Sequence, residues 1–228
     1  FSSIFGKGFV PQVLGLRPQF GRLTAGMLAS SSAFANPSAM DAAEIRRPAP
    51  GAPLLWLAVL GARTATSLIE VHDVRFVAGT TIDVTIPELR RQWFGRREGL
   101  HLDAYMAVLA VDGWGVSLGR EPAAPRPERL WFVNLGAYRP DSLAELHQFS
   151  LVVARSSQAA KAAAKRQWLQ GALQQHKDDL CAVDDCLAIE QLELIGGERW
   201  HVQLDPHPEG FSQPQVPDWF GYRRIDRS

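Results

Sequence analysis

Four short polar pairs open predicted strands of this chain: Glu70-x-His72, His101-x-Asp103, Glu145-x-His147 and His176-x-Asp178. On a strand, a spacing of two puts both members of a pair on one face. Imidazole nitrogens and carboxylate oxygens are ligands that divalent transition ions accept, and the same groups can hold and pass protons. If the strands carrying Glu70-x-His72 and His101-x-Asp103 run parallel as neighbours, their four groups meet at one end of a sheet. Glu145, His147, His176 and Asp178 would then meet in the same way at a second place. Arg91 and Arg166 complete the candidate set, because a guanidinium paired with an aspartate turns such a cluster into a closed network that needs no ligand. Neither a metal nor a cofactor is assigned on this spacing alone.

The elements that must position these groups are written twice. Residues 55 to 108 return at 130 to 183 with a constant offset of 75 and no gap: LLWLAVLGA as RLWFVNLGA, SLIEVH as SLAELH, RQW as RQW and HLD as HKD. An internal repeat is the signature of one folding unit used more than once. Each copy reads as two strands, a helix and two more strands. Leu54 to Gly61 is apolar on both faces, which predicts a strand interior to a sheet, and a short polar loop joins it to Glu70 to Gly79 as a hairpin. Thr85-Ile86-Pro87-Glu88 has the spacing of a capping box, with Gly95 placed to stop the helix. In the second copy the helix is expected to begin near Ser156 or Ser157, run through QAAKAAAKRQWLQ and end at Gly171. HLDAYMAVLAV and HKDDLCAVDDCLAI read as the strands that follow, GREPAAPRPE as the hinge between copies, and Trp219 to Ile225 as a closing strand.

The predicted fold class is therefore α+β, a tandem duplication forming one pseudo-twofold globular domain. Residues 54–118 make the first repeat, and 129–228 make the second together with the C-terminal strand. A unit of about 75 residues buries too little of its surface to be robust alone, so the copies should pack on one another. Trp93 and Trp168 sit at matching helical positions and are the natural core anchors.

Composition excludes more than it assigns. The chain has 228 residues, 46% of them hydrophobic, and a formal net charge of zero. Residues 1–53 carry five basic and two acidic residues, leaving 19 basic and 22 acidic for the remainder. A slightly acidic body lacks the clustered Lys and Arg that nucleic-acid binding needs. No apolar run is long enough to span a bilayer. Cys181 and Cys186 lie five apart on a strand, facing opposite ways, and without a second pair they fall short of a zinc motif. No nucleophile elbow, phosphate loop or dinucleotide fingerprint is present. The first forty residues are rich in Ser, Ala and Gly and have no acidic residue before Asp41, a composition of transit peptides or of an upstream segment, followed by a Pro- and Ala-rich linker. The expected location is cytoplasmic, with an organelle matrix as the alternative that this extension would support.

IEVHDVRFVAGTTIDVTIPELRRQWFG, GLHLDAY, LWFVNLGAY, ELHQFSLVVA, HKDDLCAVDDCL and PDWFGYRRI together resemble the largely bacterial family known as domain of unknown function 1543, over roughly residues 54 to 225. The resemblance implies a small protein whose domain occurs in one or two copies, and it implies no activity. Two functions from different classes remain open. One is a non-enzymatic binding or assembly module with a protein partner or a second copy of itself; the other is a metal-dependent or acid–base enzyme using the His and carboxylate clusters.

Overall fold

The computed structural model describes residues 49–137, 143–171, 181–194, 197–207 and 209–227, so the 1–48 extension, His176, Asp178 and the side chain of Trp168 lie outside the described residues. The first half contains β1 (Leu54–Ala62), β2 (Val71–Gly79), α1 (Ile86–Gln92), β3 (His101–Ala107), β4 (Ala110–Val111) and β5 (Trp114–Gly119). The second contains β6 (Arg129–Ala137), β7 (Leu146–Ala154), α2 (Ser157–Gly171), β8 (Cys181–Ala188), β9 (Gln191–Glu193) and β10 (Arg199–Pro206), and β11 (Trp219–Arg224) closes the chain. The halves thus share one element order. Each has one more short strand than the predicted layout, and the described fold is mostly β-sheet with two helices.

β1 pairs antiparallel with β2 on one side and with β3 on the other, in the sheet order β11-β3-β1-β2. Its doubly apolar sequence is explained by that interior place. Leu55 and Leu57 point to one core, while Trp56, Ala58 and Leu60 point to another formed with α1 residue Leu89. β6 is likewise the middle strand of β7-β6-β8, with Ala160 and Ala164 of α2 packed on its outer face. The duplication reaches individual hydrogen bonds. Trp56 Nε1 donates to Gly79 O and Trp131 Nε1 to Ala154 O, each at 2.9 Å.

The third sheet, β4-β5-β10-β9, joins the halves. Trp114-x-Val116-x-Leu118 on β5 recurs as Trp200-x-Val202-x-Leu204 on β10, and the two strands pair antiparallel so that Ser117 stands opposite Gln203, the residue at its own place in the pattern. The buried Val116, Val202 and Leu204 of this sheet share a core with Leu55, Leu57, Leu130 and Phe132 of the other two. β11, read from the sequence as part of the second copy, crosses back and adds to the first copy's sheet beside β3.

Three local expectations are corrected. The capping box does not form: a 3-10 turn at Asp83–Thr85 runs directly into α1, Thr85 has helical dihedral angles, and its hydroxyl donates to Ile82 O at 2.7 Å. An N-cap needs extended backbone, which the preceding turn denies. Gly95 is less a helix stop than a clearance, since a Cβ there would lie 2.8 Å from Trp93 Nε1. The gapless offset also fails beyond the helices. Trp56 faces Ala107 across the sheet, whereas Trp131 faces Ala188. The counterparts Ala107 and Ala188 are 81 apart while the second strands end at Gly79 and Ala154, so the second copy carries six extra residues between its second and third strands, where its helix is also the longer. The second helix lies where the sequence places it: α2 spans Ser157–Gly171, and Ser156 Oγ accepts from Ala159 N at 3.2 Å as its cap. Among the described residues no helix is long and apolar enough to cross a membrane.

Candidate functional site

Because β2 and β3 are both antiparallel to β1, they are parallel to each other, but β1 stands between them and the expected adjacency is absent. Two side chains on strands once removed are normally kept apart by the residue between. Here that residue is Gly61, opposite both His72 and His101. A Cβ at Gly61 would lie 2.6 Å from His101 Nε2 and 3.0 Å from Asp103 Oδ2. The imidazole and carboxylate of β3 therefore reach across the bare backbone of β1 to the groups at the start of β2.

Asp103 owes its place to a β-bulge. Val59 pairs with Ala104 and Leu60 with Leu102, leaving Asp103 as the extra residue of β3. Bulges re-aim side chains in this way. Around the bulge the distances are short: His72 Nε2 to Asp103 Oδ2 is 3.2 Å, His101 Nε2 to Asp103 Oδ1 is 3.2 Å, and His101 Nε2 to Glu70 Oε1 is 3.5 Å. Donor atoms of Glu70, His72 and His101 all lie within 4.8 Å of one another. Asp103 Oδ2 is buried and has no hydrogen-bond partner, despite its nearness to His72.

His101 is the inner wall of this cluster, 1% exposed, with the Tyr222 ring of β11 tilted over it at 4.1 Å between centroids. Its Nδ1 lies 2.8 Å from Gly99 O. A carbonyl only accepts, so Nδ1 carries a proton there. Nε2, with its lone pair, is left facing two carboxylates, a position open to a cation. Glu70 and His72 form the outer, solvent-facing side, with side chains 40% and 52% exposed.

The peptide at Gly99 is itself held. Its N–H donates to Asp226 Oδ2 at 2.9 Å, and Arg224 pairs with the same carboxylate. The Arg224 guanidinium, followed by the Gly99 N–H, holds the Asp226 carboxyl well below the usual carboxylate range. A carboxyl whose pKa is depressed in the fold stabilises it above the unfolded value of about 3.9, and that contribution is lost as pH falls through the folded value. Asp226→Ala is accordingly expected to lower the denaturation midpoint at pH 7 while narrowing the gap between pH 7 and strongly acid solution. Equal acid sensitivity in the variant and the parent would remove Asp226 from this role.

The other sequence-derived candidates lie elsewhere. Arg91 is not in the cluster: its Nε donates to Glu88 Oε2 at 3.0 Å on the same helix, and Gln92 donates to the other oxygen of that buried glutamate at 2.9 Å. Arg166 is exposed on α2. Glu145 and His147 approach to 3.7 Å. What they lack is the buried imidazole, because the revised register puts Ala182 where β3 has His101, opposite Gly136. Asp184 falls at the second copy's own bulge, as Asp103 does in the first. The sequence reading missed that correspondence; the signal for it was LDA against VDD in strands whose apolar alternation also agrees. Neither Gly61 nor Tyr222 was picked out by spacing, since nothing local reveals a clearance or a stacking partner more than a hundred residues away.

Residues 67–118 and 142–191 match a family described as Domain of Unknown Function (DUF1543), in two separate regions. A solved structure similar to this chain is that of a protein Il1583 from Idiomarina loihiensis, 34% identical, with a TM-score of 0.57; the match covers 76% of this chain and 97% of that one. No curated protein matches.

Proposed function

Since the chain belongs to the DUF1543 family, whose description names no chemistry, we propose from its own residues that the first repeat is a binding site for a divalent transition ion of the zinc class. The observation that carries this is His101 Nε2 set between Asp103 Oδ1 and Glu70 Oε1 with its other nitrogen committed to Gly99 O. Ligating histidines almost always give their second N–H to a carbonyl or carboxylate. Bonds of about 2.0–2.1 Å in a tetrahedron separate the ligand atoms by about 3.3 Å, and the three close approaches here are 3.2, 3.2 and 3.5 Å. A cation would also satisfy the buried, unpartnered Asp103 Oδ2. Two nitrogens and two oxygens suit zinc far better than magnesium or calcium, which prefer oxygen alone.

Glu70, His72 and His101 bring donor atoms within 4.8 Å of one another; with one oxygen of Asp103, which lies beside both imidazoles, as a fourth donor, the coordination sphere would be closed. Closed spheres are the mark of structural and binding sites, while catalytic zinc keeps an open position. A metal-binding module is thus favoured over a metal-dependent enzyme. The ion would tie the start of β2 to β3 across β1, at the end of the sheet where only Gly61 lies between.

Calorimetric titration of the metal-stripped protein with zinc, and with nickel and manganese for comparison, tests this. One zinc per chain is expected, bound more tightly than manganese, because Ala182 removes the key ligand from the second copy. No binding, or two equivalent ions per chain, would overturn the proposal.

A further inference from the structure

A second feature lies where the halves meet. The turn between β4 and β5 carries Asp112 against the second repeat's sheet and helix, and behind it opens a cavity of about 290 Å³. Its wall includes Gln148, Phe149 and Ser150 of β7, Gln167 of α2 and Gln215. The Gln215 side chain is fully used, pairing with both the N–H and C=O of Leu151 at 2.7 Å. Ser150 Oγ is different, being buried without a hydrogen-bond partner. Among the described residues lining the cavity, Asp112 is ionisable and none is a lysine or arginine.

The first repeat has a larger side chain at the matching place. Counterparts on β2 and β7 are 75 apart, so the residue at Ser150's place is Arg75, and at Gln148's place is Asp73. In the first copy the Arg75 guanidinium pairs with Asp73 and donates to Val74 O at 3.3 Å, with the Phe94 ring 5.9 Å away. The second copy has exchanged that arginine for serine. Neither member of the Arg75–Asp73 pair is therefore present, and the carboxylate lining the cavity is instead Asp112 from the β4–β5 turn, beside an unused hydroxyl and two glutamine amides.

We infer that the cavity binds the cationic head of a small molecule, a guanidinium or a primary ammonium, with Asp112 as its counter-ion. Asp112 Oδ2 already accepts from Val153 N at 2.8 Å, while Oδ1 has only a long contact of 3.5 Å with Gln167 Nε2 and retains acceptor capacity. Partial desolvation pushes the Asp112 carboxyl above its ordinary pKa, although the residue keeps an exposed surface. Ser150 Oγ and the Gln148 amide oxygen can take further N–H donors.

The probe is methylguanidinium, with methylammonium as the second arm and methylurea, its neutral analogue in shape, as control. Resonances of the Gln148 and Gln167 side-chain amides and of the Val153 amide should shift saturably, with a dissociation constant on the order of 1 mM for a single charge-assisted pair. A larger shift with one cation than with the other tells which head group fits. Asp112→Asn should weaken binding at least about tenfold. Asparagine tolerates the positive φ of 49° that Asp112 adopts, so this variant should fold. Ser150→Arg, which restores the first copy's residue, should fold and exclude the probe. Methylurea binding as well as the cations, unchanged affinity in Asp112→Asn, or no saturable shift with either cation would each overturn the inference.

Discussion

Replacing His101 by alanine should abolish zinc binding, reducing affinity by more than about 100-fold. Loss of a group that merely orients a metal ligand typically costs 10–100-fold, and here the ligand itself would go. The variant reproduces in the first repeat what the second already has, since Ala182 stands at the same place opposite Gly136. A competitive titration against a chromophoric chelator measures the effect. His101→Ala binding zinc as the parent does would show that the ion, if bound, is held elsewhere, and would remove the central ligand from the proposed set. Asp103→Asn is the companion variant. It keeps the shape of the side chain and removes its charge, so a comparable loss of affinity would assign the effect to ligation rather than to packing beneath Tyr222.

The largest stability effect is expected at Trp93. Its ring is 6% exposed, belongs to the core shared by Leu60, Leu89 and Leu102, and donates from Nε1 to Arg96 O at 2.9 Å. Truncating a buried tryptophan to alanine typically costs 3–5 kcal/mol. Trp93→Ala should therefore lower the urea midpoint markedly. It should also loosen the segment leading into His101, because Arg96 N is bonded to Arg63 O at the far end of β1 and Gly95 fits only against this ring. A midpoint equal to that of the parent would mean that the indole contributes nothing to the core.

The middle of each repeat was legible in the sequence. A strand apolar on both faces has to be interior, and β1 and β6 are; an alanine-rich helix after Ser156 had one place to begin. The third strands were not legible in register. His176-x-Asp178 copies His101-x-Asp103 at the offset of the preceding elements, yet two matching letters weigh little against the pairing of an eight-residue strand with β6. Six residues added between the second and third strands cost little entropy, so a gapless alignment had no physical reason to persist to the third strand. The candidate cluster was legible in composition, and its assembly depended on a residue without a side chain. Spacing could place Glu70 and His72 together, and His101 and Asp103 together. It could not show that the strand separating them would leave a gap at Gly61.

The seam between β5 and β10 bears on how such a chain arose and what the fusion achieved. A strand that pairs with its own counterpart about Ser117 and Gln203 has the geometry of an isologous contact, the kind two identical subunits make about a dyad. A chain with a single copy could close the same sheet only by meeting a second molecule, and its stability would rise and fall with concentration. Covalent joining through the segment 120–128 makes that encounter intramolecular, at an effective concentration set by linker length. Two halves held in one chain need not be identical, and these differ: His101 stands where the other half has Ala182, and Arg75 where it has Ser150.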